Sequence, residues 1–72
     1  MFKTLNVVNP EKAAKKLIAE RTKAKLTLDQ LAEKSGLTKQ TLFRIEHAMV
    51  EPRICSLQKI ADALNIKIEK LM

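Results

Sequence analysis

Lys39, Gln40, Phe43 and Arg44 lie within the stretch SGLTKQTLFRIEHA, residues 35–48. At about 100° per residue on a helix, these four fall within an arc of about 140°, and Leu42 and Ile45 fall on the opposite side. One face of a short helix is therefore apolar, and the other is given over to something outside the protein. The side-chain types suggest what that is. A guanidinium presents paired donors that match guanine O6 and N7, and an ammonium can donate to the same atoms with less geometric selectivity. A glutamine amide matches adenine N6 and N7, and an aromatic ring can touch a thymine methyl. Each good base contact of this kind discriminates by about 1–3 kcal/mol.

Such side chains need a rigid mount. Thr38 is placed to cap the N-terminus of their helix, and Gly36 sits where the preceding helix must turn. That second helix starts at Thr27, with Gln30 three residues on in capping-box spacing. Leu31, Ala32, Gly36, Leu37, Leu42 and Ile45 occupy the positions that a helix-turn-helix requires. Ala32 must be small because the next helix crosses close to it, and the leucines and Ile45 lock the two helices together. Upstream, Asn9, Pro10 and Glu11 open a first helix over about residues 10–24, with Ala14, Leu17, Ile18 and Arg21 on one face. Downstream, Pro52 separates helix three from a fourth helix that carries Leu57, Ile60, Ala61 and Leu64 on one face and stops at Asn65. The segment IKIEKLM is expected to add a last helical turn. Residues 1–8 read as an N-terminal arm or short strand, leaving residues 9–72 as one all-α domain of four to five helices.

Composition agrees with an anionic partner. The chain has 72 residues and a net charge of +6, from 14 Lys and Arg against 8 Asp and Glu. This favours an anionic partner, with nucleic acid first and an acidic membrane surface second, and charge alone does not separate that reading from a soluble domain with a lysine-rich surface. A single Cys excludes a disulfide framework and, with a single His, leaves no convincing metal site. Cys55 is expected to be a small buried or half-buried side chain. His47 and Cys55 do not form a catalytic set, and one Gly cannot build a phosphate-cradling loop. No catalytic residue, cofactor or metal is therefore expected. No apolar run reaches the roughly 18 residues of a membrane span, and the N-terminus lacks a signal-peptide core, so a cytoplasmic location is expected.

The segment LTLDQLAEKSGLTKQTLFRIEHA followed by PRICSLQKIADALNI resembles the phage Cro/repressor-type, XRE-like helix-turn-helix DNA-binding family. The resemblance covers about residues 11–72. It implies a lambda-repressor-like fold and a homodimer that binds a palindromic operator in double-stranded DNA, with helix three in the major groove. Arg21 and Glu46 match the family's internal ion pair, and Arg53 matches a position that grips phosphate. Thr27 and Thr38, at helix N-termini that attract anions, join Lys16 and Lys25 as expected phosphate contacts. Two departures stand out. Leu28 replaces a glutamine that contacts phosphate in the family, so that contact is lost. The exit from helix three, EHAMVEP, lacks the usual glycine, so a longer or differently turned loop is expected.

Ile66, Ile68, Leu71 and Met72 form an apolar patch that reads as the two-fold interface, with residues 1–8 as a supplement. His47 reads as a helix-end residue. The function expected is a sequence-specific transcriptional regulator, most simply an autorepressor. The alternative is a protein-binding module, such as an antitoxin component that neutralises a toxin. RNA polymerase is a further possible protein partner, and no membrane contact is expected.

Overall fold

Side-chain caps set the starts of the first three helices. In the computed structural model, which describes residues 8–72, Asn9 Oδ1 accepts from the main-chain N–H groups of Glu11 and Lys12 at 2.9 and 3.0 Å. Pro10 follows as the first residue of α1, Pro10–Lys23, where its missing N–H costs nothing. Thr27 and Gln30 form a reciprocal capping box at the head of α2, Leu28–Ser35. Thr38 Oγ1 accepts from the Thr41 N–H at 3.1 Å at the head of α3, Lys39–Glu46. Then come α4, Ile54–Leu64, and a 3-10 turn over Ile68–Leu71. No strand occurs among the described residues.

Left-handed residues close the helix ends. Gly36 has φ 80° and donates to the Ala32 carbonyl. Asn65, at φ 59°, ends α4 in a Schellman closure, with Ile66 N–H bonded to Ala61 O and Asn65 N–H to Asp62 O. Lys25 and Ala48 make the same closure after α1 and α3 at φ 60° and 55°. After α3 the bonds run from Met49 N–H to Arg44 O and from Ala48 N–H to Ile45 O. At this exit alanine occupies the left-handed conformation that glycine favours.

The core is aliphatic. Leu17, Leu31, Leu42, Leu57, Ile60 and Leu71 are fully buried, joined by Ile45, Ala13, Ala61 and Val8. α3 packs on α1 and α2, α2 also packs on α4, and the last turn closes against α4 and α1. Ala32 of α2 and Leu37 of the turn between α2 and α3 pack against this core. Burying a leucine or isoleucine fully contributes about 1.5–3 kcal/mol. A short chain must draw on every such residue.

Two expectations change here. Ile18 is 40% exposed, because the inward face of α1 centres on Ala13, Ala14 and Leu17. Leu71 is wholly buried, and Ile66 and Ile68 are half-buried against the core, so this patch mostly closes the domain itself. Leu71 therefore offers no surface to a second subunit, and Met72 is the most exposed of the four. Of the proposed arm, residues 1–7 lie outside the described residues, and Val8 belongs to the core.

Glu46 is the one buried charged residue among those described. Its carboxylate accepts from Arg21 Nε at 2.5 Å and from a terminal guanidinium nitrogen at 3.2 Å. Arg21 also donates to the Leu26 carbonyl at 2.8 Å. One guanidinium thus joins α1, the loop before α2 and the end of α3. It fixes the inner face of α3, and with it the direction of the outer face.

Candidate nucleic-acid interface

The outer face of α3 follows from the inner one. With Leu42, Ile45 and Glu46 buried, Lys39, Gln40, Phe43 and Arg44 are all exposed on the same short helix. The main-chain N–H groups at its first turn have no partner within the helix, as at any helix start. The Thr38 hydroxyl is already committed: it donates to Thr41 Oγ1 at 2.8 Å while accepting from the Thr41 N–H. Its contribution toward an anion is the helix end that it organises.

Lys39 Nζ lies 3.4 Å from Asp29 Oδ1 of α2, and both side chains are mostly exposed. Such a pair is weak in water. It nevertheless puts a carboxylate beside the first residue of the stripe.

Phe43 is 44% exposed and stacks on His47, with ring centroids 4.0 Å apart and planes 28° apart. His47 Nδ1 lies 2.9 Å from the Phe43 carbonyl oxygen. Helical counting could have flagged His47. It falls about 80° from Lys39, inside the arc of the stripe and two turns along.

Arg44 borders a cleft of about 420 Å³ between α3 and the start of α4, with Thr41, Glu51, Arg53 and Ser56 on its other walls. Two guanidinium-bearing residues and two hydroxyls thus share one concavity. Arg53 is the N-cap residue of α4 and makes no side-chain cap bond, so the free N–H groups at that helix start remain open to an anion.

The remaining expected phosphate residues are spread out. Thr27 is engaged by the capping box on its oxygen and its N–H, which leaves the hydroxyl proton to donate. Asp29 lies in the first turn of the same helix and opposes an anion there. Lys25 is exposed in the loop before α2. The Lys16 ammonium donates to the main-chain oxygen of Met72 at 2.6 Å, beside the final turn. Cys55, expected to be buried or half-buried, is exposed in the first turn of α4, where only one side of the helix faces the core. No cluster of three or more His, Cys, Asp or Glu able to hold a metal occurs among the described residues. No helix among them is long and apolar enough to cross a membrane.

Comparison with known proteins finds the same fold. The chain is similar to an HTH_3 family transcriptional regulator from Vibrio cholerae, with a TM-score of 0.85 and 30% identity. That match covers 88% of this chain, which spans only 35% of the Vibrio protein. It is also similar to the restriction-modification controller protein C.AhdI from Aeromonas hydrophila, with a TM-score of 0.83 and 27% identity over 88% of this chain and 96% of that one. A third similar structure is SinR, a master regulator for biofilm formation, in complex with DNA. There the TM-score is 0.78 and the identity 28%, over 82% of this chain and 95% of that one. Among curated proteins, none matches the sequence significantly. The helix-turn-helix family model HTH_3 matches residues 17–71, well over half of the sequence, and the chain belongs to that family.

Proposed function

We propose that the chain is a sequence-specific, double-stranded-DNA-binding transcriptional regulator that acts as a homodimer on a palindromic operator. The observation that carries this reading is the outward stripe Lys39, Gln40, Phe43 and Arg44 on a helix whose inner face is locked by Leu42, Ile45 and Glu46. The N-terminal half of α3 enters the major groove, and two subunits set their α3 helices about 34 Å apart, one DNA turn. Arg44 and Lys39 read guanine, Gln40 reads adenine and Phe43 meets a thymine methyl. Arg53 and the open start of α4 grip the flanking phosphate, and Thr27, Thr38 and Lys25 supply further backbone contacts. The net charge of +6 supports a strong, salt-sensitive attraction to the duplex. Ile66, Ile68 and Met72 are the residues of the C-terminal patch left to meet a second subunit. A dimer seated on a promoter would exclude polymerase and so repress. SinR, a structural neighbour, is described in complex with DNA, which favours the same partner here.

Selection of bound fragments from random duplex DNA, followed by gel-shift titration of two variants, tests this. Arg44→Ala should erase preference at one base position, a loss of about 1–3 kcal/mol of discrimination. Arg53→Ala should weaken binding to all sequences alike and make the salt slope shallower by about 1. Failure to enrich any motif would refute sequence-specific binding. If Arg44→Ala weakened all duplexes equally, Arg44 would belong to the phosphate cleft that it borders with Arg53.

A further inference from the structure

An exposed phenylalanine on a helix ordinarily samples more than one rotamer. Phe43 has less freedom, because the His47 ring lies against its face at 4.0 Å. His47 is itself anchored. Its Nδ1 stands 2.9 Å from the Phe43 carbonyl oxygen, and a carbonyl only accepts, so Nδ1 carries the proton and donates. The histidine ring is thus tied to the backbone of the residue whose side chain it covers. Both rings fall within the arc of the outward stripe, one turn apart.

We infer that His47 is a positioning residue for base reading, fixing the Phe43 ring in the orientation that meets a thymine methyl. This rests on the proposed role of Phe43 in the major groove. An apolar contact with one methyl group discriminates only if the ring is held in place. A ring already ordered in the free protein loses no rotamer freedom when DNA arrives. Stacked aromatic pairs in this range of centroid separations are mutually attractive, and the hydrogen bond keeps the histidine from rotating away.

The test uses duplexes recovered from a random pool by the unmodified chain, with each thymine replaced in turn by uracil to delete its 5-methyl group. At the position that Phe43 meets, this change should weaken binding by the unmodified chain about fourfold, the worth of one buried methyl group. Phe43→Ala should abolish that penalty. His47→Ala should reduce it below about twofold without loss of helix content by circular dichroism, and the double variant should be no worse than Phe43→Ala alone. His47→Phe, which keeps a stacking ring but not the hydrogen bond, should restore part of the effect, to above about twofold. If no thymine shows a methyl penalty in the unmodified chain, the Phe43 reading fails and the inference with it. If the penalty exists and survives His47→Ala in full, the role of His47 alone is overturned. A penalty lost in both His47 variants would show that stacking is not what orients the ring.

Discussion

Removing the Arg21 side chain is the sharpest test of how α3 is aimed. Glu46 is 7% exposed, so its carboxylate has almost no access to water, and both of its side-chain hydrogen bonds come from Arg21. Arg21→Ala leaves that charge buried without a partner, which costs about 3–5 kcal/mol. A chain of 72 residues has a total stability of about 4–11 kcal/mol at typical values per residue. The variant should therefore lose much of its folded population, with a melting temperature lower by at least about 12 °C. Glu46→Ala should cost less, about 2 kcal/mol, because the Arg21 side chain is 20% exposed and can turn its charge to water. Arg21→Met combined with Glu46→Leu removes both charges and should recover most of the loss. Urea titration followed by circular dichroism at 222 nm measures all three. A cost below about 1 kcal/mol for Arg21→Ala, or a larger cost for Glu46→Ala, would refute the claim that a buried, singly partnered carboxylate holds this corner of the fold.

Two further perturbations probe the turn and the reading face. Ala48 sits at φ 55°, a conformation that costs a residue with a Cβ about 1–2 kcal/mol. Ala48→Gly relieves this at the expense of a more flexible unfolded chain, so a net gain of about 0.5–1 kcal/mol is expected in the same urea titration. A loss of stability would show that the closure is not strained. Asp29 holds a carboxylate 3.4 Å from Lys39 at the edge of the stripe. Asp29→Asn should raise affinity for unrelated duplexes and steepen the salt dependence, because one charge that repels phosphate is gone. Unchanged non-specific affinity in a fluorescence-anisotropy salt series would place Asp29 away from the bound duplex.

The parts of the fold that were legible in the sequence are those fixed by neighbours a few residues apart. Asn9, Thr27 with Gln30, Thr38, Gly36 and Asn65 each bond to main-chain groups within five residues, so type and spacing were enough to locate the starts of α1, α2 and α3 and the ends of α2 and α4. The stripe on α3 was legible for the same reason, since helical angle depends only on position number. Ala48 was not, because alanine has no preference of its own for the positive φ that it adopts. Cys55 and Ile18 were misplaced where two helical faces a single residue apart compete for the core. Arithmetic cannot separate such faces until the neighbouring helices are present.

The C-terminal segment shows why exposed apolar residues in so short a chain invite two readings. Ile66, Ile68, Leu71 and Met72 alternate between buried, half-buried and exposed, and sequence alone gives no means of ranking them. The ranking comes from α1. Its Leu17 is fully buried, and the final turn packs against α1 and α4, so Leu71 enters a site that only folding back can fill. With Leu71 in the core, the C-terminal patch offers a dimer only the residual surface of Ile66, Ile68 and Met72. That surface is too small to hold a strong dimer by itself, because stable interfaces bury about 800 Å² on each partner. Two subunits brought together by this patch should therefore associate weakly in free solution and cooperatively on an operator, where shared DNA raises their effective concentration. Sedimentation equilibrium with and without a selected duplex decides the point. A tight dimer in the absence of DNA would require a larger interface than the C-terminal turn provides.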